Sequence, residues 1–571
     1  MLTQLTIRNF KALDQVDIDL GDRVVFVGPN NAGKTTALQA LALWETGLRR
    51  WIEKRGTAAA ALRKSGVAVN RHDLAAVPVP DANLLWRNLQ VRGASAKGTR
   101  NIRIDIVVRG VTDGRAWACG LEFDYANEES FYCRPLRLSE DENPERMPVP
   151  PEAAGVRVAF LPPMAGLSAT EMRIDPGAIQ ARLGEGRTSE VLRNLCHQIA
   201  TGPDGRARWA ELVAHVRRQF GLTLEEPRYL AERGEITLAY VDAGGVRLDI
   251  ASSGRGVQQT LLLLAHMAAN PGAVLLLDEP DAHLEILRQR QVYQLLADAA
   301  QASGSQFIAT SHSEVILNEA ADRDVVVAFV GRPHRIDDRG SQVLKSLREI
   351  GFEQYYQAEA TGWVLYLKGA ADLATLRIFA QTLNHPARVW LDRPFVHYVE
   401  NNPRRAQEHF QALRAAKPDL AGFALYDRLD APAPPGHGLE QMMWRRRELA
   451  NYLARRDVIL DWVEQKSGAA VGPLFATNWR EAMVDTIERI AGARIELGDD
   501  PWGPDIKASD QFLTPLFRRF FERLGLPDLM DRTDYHDLAR FVPADRMDPD
   551  VVAVLDAIAG VAQSGRPPGG G

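Results

Sequence analysis

Apolar and polar positions alternate through MLTQLTIRNFKALDQV at the start of the chain, the period-two rhythm of a strand with one buried face. The apolar run VVFVG follows, then a glycine-rich turn, then the periodic segment TTALQALAL. The first 40 residues therefore read strand, turn, strand, glycine loop, helix. Alternation returns between residues 100 and 135 in NIRIDIVVRG and RAWACGLEFDY, two strands separated by turn residues and predicted to pair antiparallel. The polar, proline-rich SEDENPERMPVPPEAAG reads as a loop. From Thr188 to Phe220 the period becomes helical, with Val191, Leu192, Leu195 and Ile199 on one face. VLLLD (274–278) and FIATSH (307–312) are short apolar runs with a helix between them, the pattern of buried parallel strands, and DVVVAFV (324–330) is a further strand. The polar stretch GRPHRIDDRGSQ closes this half. Near Gly362 the strand–helix rhythm restarts with WVLYLKG, a helix to about Leu383, FVHYV, a helix from Pro403, and GFALYD. This second α/β set predicts a separate small domain. Beyond about residue 455 the pattern is mainly helical, and the tail SGRPPGGG has the composition of disorder.

The 571 residues suggest two to four domains at roughly 150 residues each. Apolar residues at 46% and charged ones at 25% leave ample material for several cores. A net charge of −6 announces neither a general nucleic-acid binder nor a membrane binder, so any such contact must come from local patches. Candidates are Arg49, Arg50, Lys54 and Arg55; Arg217–Arg218; Arg404–Arg405; Arg445–Arg447; and Arg518, Arg519 and Arg523. In the last cluster, within FLTPLFRRFFERL, a solvated helix face explains the pattern as well as DNA does, and for any single cluster the solvated face is the favoured reading. Trp444 beside three arginines is the most suggestive, because an indole stacks on a base. Three scattered cysteines, Cys119, Cys133 and Cys196, fit a reducing cytoplasm better than a disulfide framework. The N-terminus lacks the build of a signal peptide, and TLLLLAHMAA is too short to cross a bilayer and carries His266. A cytoplasmic protein with no membrane partner is expected.

GPNNAGKT, from Gly28 to Thr35, fits G-x-x-x-x-G-K-[ST] between a strand and a helix. Glycines there let successive N–H groups turn inward onto phosphate oxygens, and the helix start adds partial positive charge. Gly28, Asn30, Asn31, Ala32, Gly33, Lys34, Thr35 and Thr36 are the candidate nucleotide contacts. Lys34 is placed to reach the β- and γ-phosphates of ATP, Thr35 to bind Mg²⁺, and Thr36 to support the α-phosphate. In VLLLDEPDAHLE, Asp278 ends a buried strand, well placed for the Mg²⁺ water shell, and Glu279 can polarise an attacking water. His312 ends the next apolar strand, within reach of a γ-phosphate. As isolated features, a strand ending in acids and a lone histidine are more often structural. Their order behind a phosphate loop changes that.

These residues resemble the ABC ATPase superfamily in its SMC-like branch. IRNFKAL (7–13) looks like that branch's N-terminal strand and turn, which contact the nucleotide base. ASSGRGVQQTLLLL (251–264) is similar to its signature motif, with Ser253, Gly254 and Gly256 opening a helix, and Asp281 falls where its D-loop sits. The resemblance implies that Ser253 reaches the γ-phosphate held by a second copy, so that ATP joins two heads in a homodimer or a higher assembly. Gln90 lies in a region plausible for the branch's glutamine. Heptads are absent, which sets the chain apart from true SMC proteins. The implied fold is α/β: an ABC-type head over residues 1–345 with an antiparallel β lobe and a helical insert at about 165–225.

The second α/β set resembles a Toprim domain, and the whole order is similar to the OLD (overcoming lysogenization defect) nucleases. The resemblance implies a Toprim-like domain at 360–460, a helical region at 461–562 and a disordered tail at 563–571. Where that family's first Toprim strand ends in Glu-Gly, YLKGAAD supplies Lys368, Gly369 and Asp372. Where it shows Asp-x-Asp, LYDRLD supplies Asp427 and, one place late, Asp430; RRELANY supplies Glu448. Two-metal phosphodiester cleavage needs several carboxylates, and a lysine among them places a cation in the pocket. A degenerate site is therefore expected. The leading reading is an ATP-dimerised ATPase coupled to nucleic-acid surveillance or antiphage defence. An ATP-gated Toprim endonuclease and a scaffold recruiting a separate effector protein are the alternatives.

Overall fold

The computed structural model describes residues 1–58, 65–74, 76–95, 98–139, 141, 144–321, 323–336, 350–431, 438–470 and 473–565. Residues 337–342 of the polar loop read at 331–342, and 566–571 of the tail, lie outside the described residues. The chain divides into two compact units, Met1–Leu344 and Lys345–Gly571.

The first unit is built on two six-stranded sheets. One is antiparallel, in the order Leu13–Asp19, Leu2–Phe10, Ile104–Thr112, Arg115–Asn127, Ser130–Pro135, Val67–Asn70. Leu5 and Ile7 face its core, and a register shift between Leu2 and Gln4 lets Leu2 point inward as well. The other sheet runs Val158–Leu161, Val274–Leu277, Gln306–Ser311, Arg23–Val27, Val325–Ala328, His334–Arg335, parallel except at its last pair. Its central strands are buried on both faces, which is why they read as continuous apolar runs.

The 22-residue helix Lys34–Arg55 belongs to one core with both sheets. Ala37, Leu38, Leu41, Trp44, Leu48 and Trp51 recur at helical spacing on its buried side, alongside Phe26 and Ile308 of the parallel sheet and Leu5 and Phe123 of the antiparallel one. Gly47 permits the approach: a Cβ there would stand 2.8 Å from the Phe123 ring. Glu122, fully buried in the antiparallel sheet, accepts from Arg134 at 2.5 Å, Arg137 at 2.8 Å and Arg146 at 3.0 Å. Burial alone would raise its pKa, but the three guanidiniums outweigh burial and hold it at about 2.

The stretch read as one helical segment from Thr188 is two helices, Leu192–Thr201 and Gly205–Phe220. Gly202-Pro203 breaks it, because proline brings no N–H to continue the ladder. Val191, Leu192, Leu195 and Ile199 are all buried.

The second unit carries a four-stranded parallel sheet, in the order Val396–Tyr398, Trp363–Leu367, Ala421–Tyr426, Leu439–Met443. The last strand is too polar to stand out in sequence. Helices Arg456–Ala470, Thr514–Leu524 and Pro549–Ser564 share one core with Leu365, Leu367 and Phe423 of the sheet. Among the described residues no helix is long and apolar enough to cross a membrane.

Candidate active site

Parallel strands bring their carboxyl ends to one edge, and the first unit gathers its polar motifs there. The strand Arg23–Val27 ends at Gly28, Gln306–Ser311 at His312, and Val274–Leu277 at Asp278. The loop from Gly28 to Gly33 needs glycine at both ends. Gly28 has φ 156, and a Cβ there would meet the Phe329 carbonyl at 2.7 Å; Gly33 has φ 96 and would meet Leu13 at 2.9 Å. Asn30 and Asn31 are exposed on the loop, Asn31 with φ 64, while Ala32, Thr35 and Thr36 are half-buried.

Lys34 is 6% exposed, and its Nζ donates to the carbonyls of Gly28 at 2.7 Å and Pro29 at 2.9 Å. Burial lowers its pKa, and the carboxylates of Glu279, Asp278 and Asp281 partly offset that. The Thr35 hydroxyl lies 3.0 Å from both oxygens of Asp278. Asp278 is itself buried, which raises its pKa against the lowering effect of the Thr310 and Thr35 hydroxyls. Thr310 donates to Asp278 Oδ1 at 2.6 Å and accepts the Glu279 N–H at 2.9 Å. Glu279 adopts left-handed φ 48, which turns its side chain to a half-buried position 3.9 Å from His312 Nδ1. Asp281 is 3% exposed and accepts from the Ser311 hydroxyl at 2.9 Å; burial raises its pKa.

Thr310 and Ser311 were missed in sequence. The available signal was two hydroxyls inside FIATSH, both fully buried here. Lys11 was also missed: in the turn after Phe10, with φ 47, it donates to Gln39 on the phosphate-loop helix at 2.8 Å, and burial lowers its pKa to about 8.

The segment from Ser253 to Gly256 opens the helix Arg255–Ala269, with Gly254 as its N-cap and open space where its Cβ would be. The Ser253 hydroxyl donates to the Ile250 carbonyl at 2.7 Å, and Gln258 Nε2 braces the Ser253 carbonyl at 3.0 Å. A Cβ on Gly256 would lie 3.4 Å from Leu284. Gln259 ties this helix to Pro280, between Glu279 and Asp281, at 3.4 Å. Gln90 is exposed at the end of the turn Arg87–Leu89.

In the second unit, Lys368 Nζ lies 2.7 Å from Asp427 and 3.7 Å from Glu448, in a cavity of about 570 Å³ that Asp372 also lines. Burial would lower the Lys368 pKa, but these carboxylates outweigh it and raise the value. Burial and the neighbouring Asp427 push Asp372 up to about 7. Glu448 Oε1 is committed to the Ser509 N–H at 2.6 Å. Asp430 departs from expectation. It is 88% exposed and pairs with Arg447 at 2.8 Å, because its place one residue late carries it past the strand end. Among the described residues no group of three or more His, Cys, Asp or Glu could hold a metal ion.

Trp444 also departs from expectation: it is 1% exposed and packs on Tyr452 with centroids 4.9 Å apart, so its ring is not offered to a base. Several clustered arginines face acids instead, Arg50 with Asp73, Arg447 with Asp430 and Arg523 with Asp485. The three cysteines are buried and free.

A family model described as "AAA ATPase domain" matches residues 1–52, and one described as "AAA domain, putative AbiEii toxin, Type IV TA system" matches residues 185–318. A stretch of 43 residues is 49% identical to an OLD nuclease of Thermus scotoductus, spanning 8% of this chain and 8% of the length of that relative. Among solved structures, the SMC head domain from Thermotoga maritima aligns with TM-score 0.32 and 15% identity over 59% of this chain and 98% of its own. An Smc head with an extended coiled coil, bound to the C-terminal domain of ScpA derived from Pyrococcus furiosus, aligns with TM-score 0.34 and 14% identity over 61% and 99%. The first family match takes in the phosphate loop and the second takes in the helix Arg255–Ala269, Asp278, Glu279 and His312, so both AAA domain models fall on the segments that build this edge.

Proposed function

We propose that the chain is a Mg²⁺-dependent ATP hydrolase that works as a pair of copies, coupled to nucleic-acid surveillance of the antiphage kind. The observation that carries the catalytic part is the meeting of Lys34, Thr35, Asp278, Glu279 and His312 at the carboxyl edge of one parallel sheet. Lys34 brings positive charge to the β- and γ-phosphates, and backbone amides from Gly28 to Thr36 cradle them. Glu279 orients the attacking water and takes its proton; His312 beside it holds the γ-phosphate. Thr35 and Asp278 present only hard oxygen donors within 3.0 Å of each other, as Mg²⁺ prefers, and would hold it. When bound, the ion neutralises charge developing on the phosphate oxygens. Thr310 fixes Asp278 and the Glu279 backbone together, so the two acids move as one.

The paired arrangement is supported by the open amide end at Gly254 and by Ile286 and Leu287, 70% and 77% exposed, shortly after Asp281. Two large apolar side chains exposed side by side fit a surface that a sister copy covers. Ser253, Gly254 and Gly256 then cap the phosphate held by the sister copy, and Asp281 stands between the two sites. The surveillance role is supported by the short likeness to the OLD nuclease. In the Toprim-like unit the pairing of Lys368 with Asp427 favours a domain without nuclease chemistry. ATP turnover, measured alone and with DNA or RNA of several shapes, tests the whole reading. Lys34→Ala should abolish turnover, and one nucleic-acid class should stimulate the unmutated protein. Undiminished turnover in Lys34→Ala would overturn the catalytic part, and indifference to every nucleic acid the rest.

A further inference from the structure

The second unit holds a cavity of about 580 Å³ that neither the ATPase edge nor the Lys368 pocket uses. The Glu448–Ala454 segment is the wall between this cavity and the Lys368 pocket. Glu448, Leu449, Ala450 and Leu453 line the Lys368 pocket, and Asn451, Tyr452 and Ala454 line this one.

Its lining carries four arginines, Arg446, Arg455, Arg456 and Arg546, against two aspartates, Asp457 and Asp548. Four cations face two anions in the lining, and Glu488 just outside it pairs with Arg456, which leaves a surplus of one positive charge. Asp457 bridges Arg455 at 2.7 Å and Arg546 at 3.2 Å, while Asp548 faces Arg446 at 3.5 Å. Arg456 turns to Glu488, which is not part of the lining, at 3.2 Å. Two of the guanidiniums are held in place by more than charge. Arg446 lies over the Tyr452 ring at 5.4 Å, and Arg455 donates to the Arg546 carbonyl at 2.9 Å. Each guanidinium offers five N–H donors, so one shared carboxylate between Arg455 and Arg546 leaves donors over. Apart from Asn451 and Tyr452 the rest of the lining is apolar, with Val542, Met547 and Val551 on the same cavity as the indole of Trp502.

A structural ion-pair network accounts for Asp457 and Arg455, but not for the charge surplus, nor for apolar walls around a space of ligand size. Guanidiniums in pairs recognise phosphate oxygens bidentately, and an indole with aliphatic neighbours suits a planar base. We propose that this cavity binds a nucleoside phosphate, either as a free nucleotide or as the terminal nucleotide of a strand. The phosphate takes over the two guanidiniums that Asp457 bridges, and the base lies towards Trp502 and Val542. The proposal is independent of the role assigned to Lys34.

The test uses the full chain carrying Lys34→Ala, to silence the phosphate loop, titrated calorimetrically with AMP, ATP, inorganic phosphate, and a short oligonucleotide with and without a 5′-phosphate. Binding of the mononucleotides, or of the phosphorylated oligonucleotide alone, tells the two sources apart. Adding Arg455→Ala and Arg546→Ala should weaken that binding by about tenfold or more, the worth of a charge-assisted hydrogen bond. Asp457→Asn, which removes the competing carboxylate, should tighten it. Arg546 is 61% exposed, so Arg546→Ala alone should leave the melting temperature within error and keeps the test valid should the double variant unfold. No binding of any probe to the Lys34→Ala chain, binding indifferent to the arginine changes, or inorganic phosphate binding as tightly as the nucleotides would each overturn the proposal.

Discussion

Thr310 Oγ1 donates to Asp278 Oδ1 across 2.6 Å while accepting the Glu279 N–H at 2.9 Å, so one buried hydroxyl on the neighbouring strand sets both acids of the ATPase edge. Thr310→Val keeps the shape and removes both bonds. The buried carboxylate and amide left behind cost about 1–3 kcal/mol, and turnover should fall about ten- to hundredfold with little change in KM. Turnover at the unmutated rate would remove Thr310 from the positioning role.

Glu279→Gln keeps the hydrogen-bonding shape but cannot take a proton. With ATP present it should accumulate as a pair, seen in light scattering as a doubled mass. Adding Ile286→Glu and Leu287→Glu places charge on the exposed apolar step after Asp281 and should return the mass to that of one chain. A pair that survives both changes would show that this surface lies outside the interface.

Lys368 stands between Asp427 and Glu448 as a fixed cation. Lys368→Ala leaves those carboxylates facing each other and Asp372, and should destabilise the unit by about 1–3 kcal/mol, between the worth of an exposed ion pair and that of a buried one. Added Mn²⁺ should raise the melting temperature of this variant and not that of the unmutated chain. Plasmid nicking by the unmutated chain with Mg²⁺ or Mn²⁺ would contradict the account of the pocket.

His397 and His409 stack face to face in the second unit, 3.8 Å between centroids and 5° apart. The Tyr366 hydroxyl donates to His409 Nδ1 at 2.8 Å, and His409 Nε2 faces Gln354 Oε1 at 2.5 Å, an arrangement that suits the neutral ring with its proton on Nε2. Burial, then the neighbouring His397, lowers the His409 pKa from 6.5 to about 3. The unfolded chain therefore binds a proton that the folded one refuses. Stability is fully present above pH 6.5 and is lost as pH falls from there towards 3. Asp372, held near 7, works in the opposite sense. The contribution of His409 is isolated by comparing denaturation midpoints of the unmutated chain and His409→Gln at pH 7.5 and pH 5. The variant should lose less on acidification, and an equal loss in both would exclude His409 as the cause.

By itself the sequence determined what is local. GPNNAGKT between a strand and a helix, and an acid pair at the end of VLLLD, are contiguous in the chain, because a phosphate loop is made of successive backbone amides and a buried strand is written as successive apolar residues. The strand–helix alternation likewise implied the α/β class, and the period-two alternation between residues 100 and 135 the antiparallel strands. What lay between distant segments was hidden. Thr310 reads as one more position in an apolar strand until the sheet sets that strand beside the one ending at Asp278. Asp430 is close to Asp427 in sequence, yet the strand end directs it to solvent, whereas Glu448 comes from elsewhere to meet Lys368. Trp444, next to three arginines, is buried because its neighbours in space are Tyr452 and a helical core written after residue 455. Periodicity records which face of an element is buried. Which side chain that face meets depends on how the elements pack, and only the tertiary structure decided it.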